Sequence, residues 1–228
     1  MAAHSKRWYL QRFKLLTGLA KSQTQLLEQA ARMQEVKRGQ RIYKPGDPSQ
    51  HLFLVNSGVI KIAAAGPDDP EVILSFRYPG NVFGESALMD ERRRDHLSVA
   101  HEDSLICGLS GEVILRLARE SPEVGLRIID MMGRHIRQLQ SRISQLSFKS
   151  AAGRVARTLV DLSEEYSVRD ARGTVIAFRL SQRDLANLAG LTRETVNMIL
   201  HDFQRRGLAE ADRRVIRLLD SQKLRAVR

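Results

Sequence analysis

Proline is confined to one stretch of this chain. All six prolines lie between Pro45 and Pro122, and the last 106 residues contain none. Proline fixes its own φ, lacks an N–H and biases the preceding residue away from the helical region. Long uninterrupted helices are therefore open after 122, whereas a turn-rich architecture is favoured from 45 to 122. A chain of 228 residues is long enough to hold two such regimes as separate domains, each with its own core.

Within the proline-bearing part, short β-rich runs at 52–55, 59–63, 71–76, 96–100 and 104–109 alternate with Gly, Pro, Asp and Asn turns. That spacing predicts a small antiparallel barrel or jelly roll. Ahead of it, Ser22 is placed to cap a helix through QTQLLEQAARM, with Leu26, Leu27, Ala30 and Met33 on one apolar face. Cys107 is the only cysteine, so intrachain disulfides and clusters held by several thiolates are excluded. It sits in the apolar run LICGL and reads as a small core residue. No apolar run reaches the length of a membrane span and no signal-peptide core follows the N-terminus, so a cytoplasmic location without a membrane partner is expected.

After Pro122, residues Ile129, Met132, Ile136, Leu139, Ile143 and Leu146 are spaced 3, 4, 3, 4, 3. That is a heptad seam with polar residues on the remaining faces. Such a helix packs either on its own barrel or against the same helix of a second copy, and the narrowness of the stripe favours the dimer. Phe148-Lys149-Ser150 reads as a hinge, with Ser150 capping a further helix whose core face is Val155, Leu159 and Leu162.

The stretch 181-SQRDLANLAGLTRETVNMILHDFQRRG-207 combines several local signals. Ser181 and Asp184 fit a capping box, Ala186 is small where two helices must approach, and Gly190 suits the positive φ of a tight turn. Thr192 then caps a second helix that buries Val196, Ile199, Leu200 and Phe203 and presents Arg193, Glu194 and Asn197 outward. Those side chains suit base edges: Arg donates to guanine O6 and N7, Glu accepts from cytosine N4, and Asn meets adenine or a phosphate. Residues 208–219 read as a β-hairpin wing with Arg213 and Arg214 at its tip, against the sugar-phosphate backbone. Charge agrees: residues 1–120 hold 17 Lys+Arg against 14 Asp+Glu, whereas 121–228 hold 20 against 12, so +8 of the net +11 lies in the second part.

Three motifs give the chain a resemblance to the CRP/FNR family of bacterial transcription regulators: Gly39, Gly46, Gly58, Gly66 and Gly80 punctuating a β-roll, the Gly84-Glu85 pair, and LTRETVNMIL. The resemblance runs over nearly the whole chain. It implies an α+β protein with an N-terminal antiparallel jelly roll of the cyclic-nucleotide-binding type at 1–121, a dimerisation helix at 122–147 and a winged helix-turn-helix at 148–228. It implies a homodimer on a palindromic site, spanning successive major grooves roughly 34 Å apart, with RNA polymerase as a further partner. By position, Arg193 and Glu194 match the residues that read a G·C step, Asn197 matches a third reading position, and Ser181, Gln182 and Thr192 match phosphate contacts. The next reading position, often basic, is Met198.

The effector pocket departs from the cyclic-AMP-binding pattern. Gly84, Glu85 and Ser86 occupy the ribose side, but the cyclic-phosphate Arg-Ser pair falls on Arg94-Asp95 or on Asp95-His96 according to the direction of counting. A carboxylate there costs phosphate binding. The adenine-reading hydroxyl pair is replaced by Leu139 and Gln140. Control by cyclic AMP is therefore not expected. A cyclic dinucleotide, another cyclic mononucleotide held by Glu85 and Arg94, a small metabolite or no effector stay open. The histidines show no grouping for haem, and His135 reads as a polar rim residue beside the seam.

A jelly-roll metalloenzyme would need clustered ligands such as His-x-His, which is absent, as are nucleophile-elbow and phosphate-loop motifs, so no metal site and no enzyme are expected. The alternative of a cyclic-nucleotide-type module that regulates a protein partner would leave the helix-turn-helix without a use.

Overall fold

The computed structural model describes residues 5–64, 72–89, 93–148, 150–212 and 215–227, apart from the side chains of Arg142, Gln145, Leu146, Ser147 and Phe148. The expectations for Gly66, Arg213, Arg214 and Lys149, and for the side chains of Leu146 and Phe148, lie outside these residues. The chain divides into two compact units, Met1–Ile136 and Arg137–Arg228, which meet inside one long helix.

The first unit begins with α1 (Lys6–Leu10) and α2 (Lys21–Ala30), followed by β1 (Arg32–Val36), β2 (Arg41–Tyr43), β3 (His51–Ser57), β4 (Ile60–Ala64) and β5 (Val72–Arg77). It continues through β6 (Val82–Phe83), β7 (Leu97–Ala100), β8 (Ser104–Ser110) and α3 (Gly111–Glu120) into α4 (Pro122–Phe148). The strands form two four-stranded antiparallel sheets, ordered β1-β8-β3-β6 and β2-β7-β4-β5. This is the expected jelly roll. Between the sheets lie Tyr43, Val55, Ile60, Phe83 and Ile106. On the other face of β3 and β8, Leu52, Leu54, Cys107 and Leu109 pack with Ile114, Leu117, Val124, Ile128 and Met131 of α3 and α4. Because helices cover that face, β8 is apolar on both sides and its sequence SLICGLS lacks the alternation of a half-solvated strand.

The expected helix after Ser22 needs correction. Its N-cap is Ala20, whose N–H donates to the Gln23 side chain at 3.1 Å, so a glutamine at the third helical position satisfies the end without a capping hydroxyl. The helix stops at Ala30, and Met33 pairs with Cys107 in β1. Sheet pairing overrides the helical period there.

Along α4, Val124, Ile128 and Met131 are buried in the first unit's core. A separate row remains exposed: Ile129 (67%), Ile136 (55%), Leu139 (51%) and Ile143 (65%), with Leu126 beside it. Met132 is half-buried against the core. The helix thus carries two apolar faces, and among the described residues of the heptad row only Met132 packs on its own roll.

The second unit contains α5 (Ala151–Glu165), β9 (Ser167–Asp170), β10 (Gly173–Ile176), α6 (Gln182–Ala189), α7 (Arg193–Arg205), β11 (Ala209–Asp212), β12 (Val215–Leu218) and α8 (Ser221–Ala226). Ser150 caps α5 through the Gly153 N–H at 3.1 Å, and Val155, Leu159 and Leu162 are buried as expected. The wing is larger than a hairpin. A four-stranded sheet runs β11-β12-β10-β9, locked by Arg217, which donates to Asp170 at 2.8 Å and Glu210 at 3.1 Å.

Candidate nucleic-acid interface and effector pocket

Helix α6 starts where the sequence placed it. The Asp184 N–H donates to Ser181 Oγ and the Ser181 N–H to Asp184 Oδ2, both at 3.1 Å. It ends at Gly190, whose φ of 62° lies in the left-handed region that costs any residue with a Cβ about 1–2 kcal/mol. The turn delivers the chain to Thr192, whose Oγ1 accepts from the Thr195 N–H at 3.2 Å and opens α7. Leu185 and Ala186 of α6 and Val196, Ile199, Leu200 and Phe203 of α7 are buried, so the second helix is held by its inner face.

Its outer face is free. Arg193, Glu194, Asn197 and Met198 are all exposed. Asn197 accepts a hydrogen bond from Gln182 Nε2 at 3.0 Å, which ties the start of α6 to the middle of α7. A groove of about 440 Å³ runs between the start of α6, α7 and β12, lined by Ser181, Gln182, Arg183, Arg193, Val215 and Ile216. Three of the six expected phosphate or base contacts on α6, α7 and their caps, Ser181, Gln182 and Arg193, thus share one concavity with Arg183. Sequence reading did not single out Arg183; its signal was a cation in the first turn of a capped helix, where backbone N–H groups already favour an anion.

In the β-roll, Gly84 has φ 78°, and a Cβ there would lie 3.0 Å from Arg94 Nη1 and 3.1 Å from His51 O. It opens a short 3-10 turn, Glu85–Leu88. Arg94 is buried beneath it at 4% exposure. Its guanidinium donates to Gly84 O at 2.9 Å, to Ser86 Oγ at 3.0 Å and to His51 O, and lies 4.4 Å over the Tyr43 ring. Burial pulls the Arg94 pKa below its usual value against the pull of Tyr43, Glu85 and Asp47, and burial pushes the Tyr43 phenol up to about 12. Arg94, expected with Glu85 to hold a nucleotide, thus spends these donors on the protein's own oxygens. Asp95 and His96 are exposed.

Glu85 is also engaged. His135 Nδ1 of α4 lies 3.2 Å from its Oε1, close enough for an ion pair with protonated imidazole although not aligned as a hydrogen bond, and Arg77 lies at 4.0 Å. Burial raises the carboxyl pKa, but His135 and Arg77 outweigh it and hold it at about 2. His135 is accordingly a partner of the pocket carboxylate rather than a rim residue. Leu139 and Gln140 are exposed on α4. Among the described residues no group of His, Cys, Asp and Glu could hold a metal ion, and no helix is long and apolar enough to cross a membrane.

The chain matches the family model for the cyclic nucleotide-binding domain over residues 33–121 and that for the Crp-like helix-turn-helix domain over 153–227. It is 32% identical over 194 residues to the cyclic AMP receptor protein of Thermus thermophilus, covering 85% of this chain and 87% of that one. The chain belongs to the CRP/FNR family. A second CRP/FNR relative, the transcriptional activator protein anr of Pseudomonas aeruginosa, is 30% identical over 84% of this chain and 78% of its own length. The fold is also that of FixK2 from Bradyrhizobium japonicum, with a TM-score of 0.78 at 24% identity over 86% of this chain and 96% of that structure. As a CRP/FNR protein the chain is a DNA-binding transcription regulator, with α6 and α7 as its helix-turn-helix.

Proposed function

We propose that two copies pair through the outer row of α4 and bind a palindromic promoter site in the cytoplasm. Arg193, Glu194 and Asn197 meet base edges, Ser181, Gln182, Thr192 and Arg183 meet phosphates, and Arg213 and Arg214 extend the contact along the backbone. RNA polymerase is the further partner. The observation that carries this reading is the exposed row Ile129, Ile136, Leu139 and Ile143, with four large apolar side chains each more than half accessible on one helix. An apolar stripe of that kind is costly in water and marks an interface, and a second copy supplies the complementary stripe by symmetry.

Effector control by cyclic AMP does not follow from the pocket. A phosphate entering beside Gly84 would compete with two backbone carbonyls for Arg94, and a ribose would compete with His135 and Arg77 for Glu85. The regulator works without an effector or answers to one that does not use these two charges in that way.

Fluorescence anisotropy tests the reading, with the full chain against a selected palindrome, its isolated half-site and a scrambled duplex, without ligand and then with cyclic mono- and dinucleotides. Selective binding of the palindrome over the half-site is expected, with log K falling by about 0.9 per neutralised phosphate against log salt. Equal affinity for all three duplexes would refute it, and a cyclic-AMP-dependent gain in selectivity would refute the effector reading.

A further inference from the structure

On α7 the positions farthest from the buried row Val196, Ile199, Leu200 and Phe203 are, at 3.6 residues per turn, Glu194, Met198, His201 and Arg205. Arg205 is drawn to Asp202 at 3.0 Å near the helix end. Met198 is 67% exposed and is the only large apolar side chain exposed on α7 among the described residues. It stands one turn from Glu194 in the line farthest from the buried row. An apolar side chain there adds nothing to the fold of α7, whose core face is complete without it.

Only one base edge rewards such a side chain. In the major groove guanine, adenine and cytosine present hydrogen-bonding atoms, whereas thymine adds a C5-methyl group. A thioether on three rotatable bonds can reach a methyl whose height varies with groove geometry. Four residues of helix rise about 6 Å, nearly two base-pair steps of 3.4 Å. We infer that Met198 selects a thymine through its C5-methyl, within two base pairs of the pair met by Glu194, so that this chain reads an A·T pair at that step. The inference rests on the proposal that α7 lies in the major groove.

The test begins with binding-site selection from a random duplex library by the full chain and by Met198→Ala. Wild-type sites are expected to carry thymine at one fixed step within two base pairs of the pair whose choice relaxes in Glu194→Ala, and Met198→Ala sites to lose that preference. The same palindrome is then made with deoxyuridine at that step, which keeps the pairing and deletes the methyl. Losing one buried methyl corresponds to about fourfold in affinity per half-site, and about fifteenfold when both half-sites are changed. Met198→Ala should bind the thymine and uracil duplexes equally, and Met198→Leu should keep the sensitivity. A wild-type protein indifferent to uracil, or a Met198→Ala protein that remains sensitive, overturns the inference while leaving the DNA-binding reading intact. A protein that selects no sequence overturns both.

Discussion

Replacing Ile136 by Ala tests the dimer at a position where the structure supplies the magnitude. The substitution removes three carbons, worth about 0.8 kcal/mol each when fully buried, or about 2.4 kcal/mol. Ile136 keeps 55% of its surface in water in the single chain, so about 1.3 kcal/mol of that transfer is left for a partner to collect. A two-fold interface uses the position twice, which gives about 2.6 kcal/mol and roughly a 70-fold weaker dimer. Sedimentation equilibrium over a concentration series measures it, with circular dichroism confirming that the variant is folded. Val168, 61% exposed on β9 and outside the row, is the control, and Val168→Ala should leave the association unchanged. A dissociation constant for Ile136→Ala within threefold of wild type would mean that α4 does not pair through this face.

Because Glu85 is held at about 2, below its ordinary 4.5, its stabilisation is fully present above pH 4.5 and is lost as the pH falls towards 2. Glu85→Gln should cost roughly 1–3 kcal/mol at pH 5, discounted for the 30% exposure of the side chain, and far less near pH 2. Urea unfolding at several pH values reads the difference, and a cost independent of pH would remove the ion pair from the account. Arg94→Met removes one of two donors from the Gly84 carbonyl, which keeps the Ala87 N–H at 3.1 Å, and the Arg94 donor from the His51 carbonyl, and should cost about 1–3 kcal/mol with no ligand present; a melting temperature equal to wild type would contradict the structural role. Gly190→Ala should destabilise the second unit by about 1–2 kcal/mol and lower affinity for all duplexes alike, seen in thermal melts and anisotropy. Glu194→Ala should relax choice at one base pair at a cost of about 1–3 kcal/mol, and an equal loss on random DNA would mean that Glu194 reads no base.

The helix-turn-helix was legible residue by residue. Ser181 with Asp184, Gly190 and Thr192 each act within four positions of themselves, so a cap or a turn φ is set by neighbours that the sequence displays side by side. The jelly roll was legible as a spacing of turns, and the heptad row as a period. Short elements that depend on distant pairing were not: the β9–β10 hairpin gains its place by joining β12, and Met33 leaves the helical pattern because Cys107 offers it a strand partner. The pocket was decided by tertiary structure in the same way. In the sequence Glu85 is a carboxylate next to Gly84 and Arg94 the last of three consecutive arginines, each equally suited to hold a ligand or to be held by its own surroundings. Only the fold brings His51, 43 residues away, and His135, 50 residues away, against them. Local terms of capping, turn geometry and periodicity are written in consecutive residues, whereas the use of a buried charge depends on which distant dipoles the sheet register sets beside it.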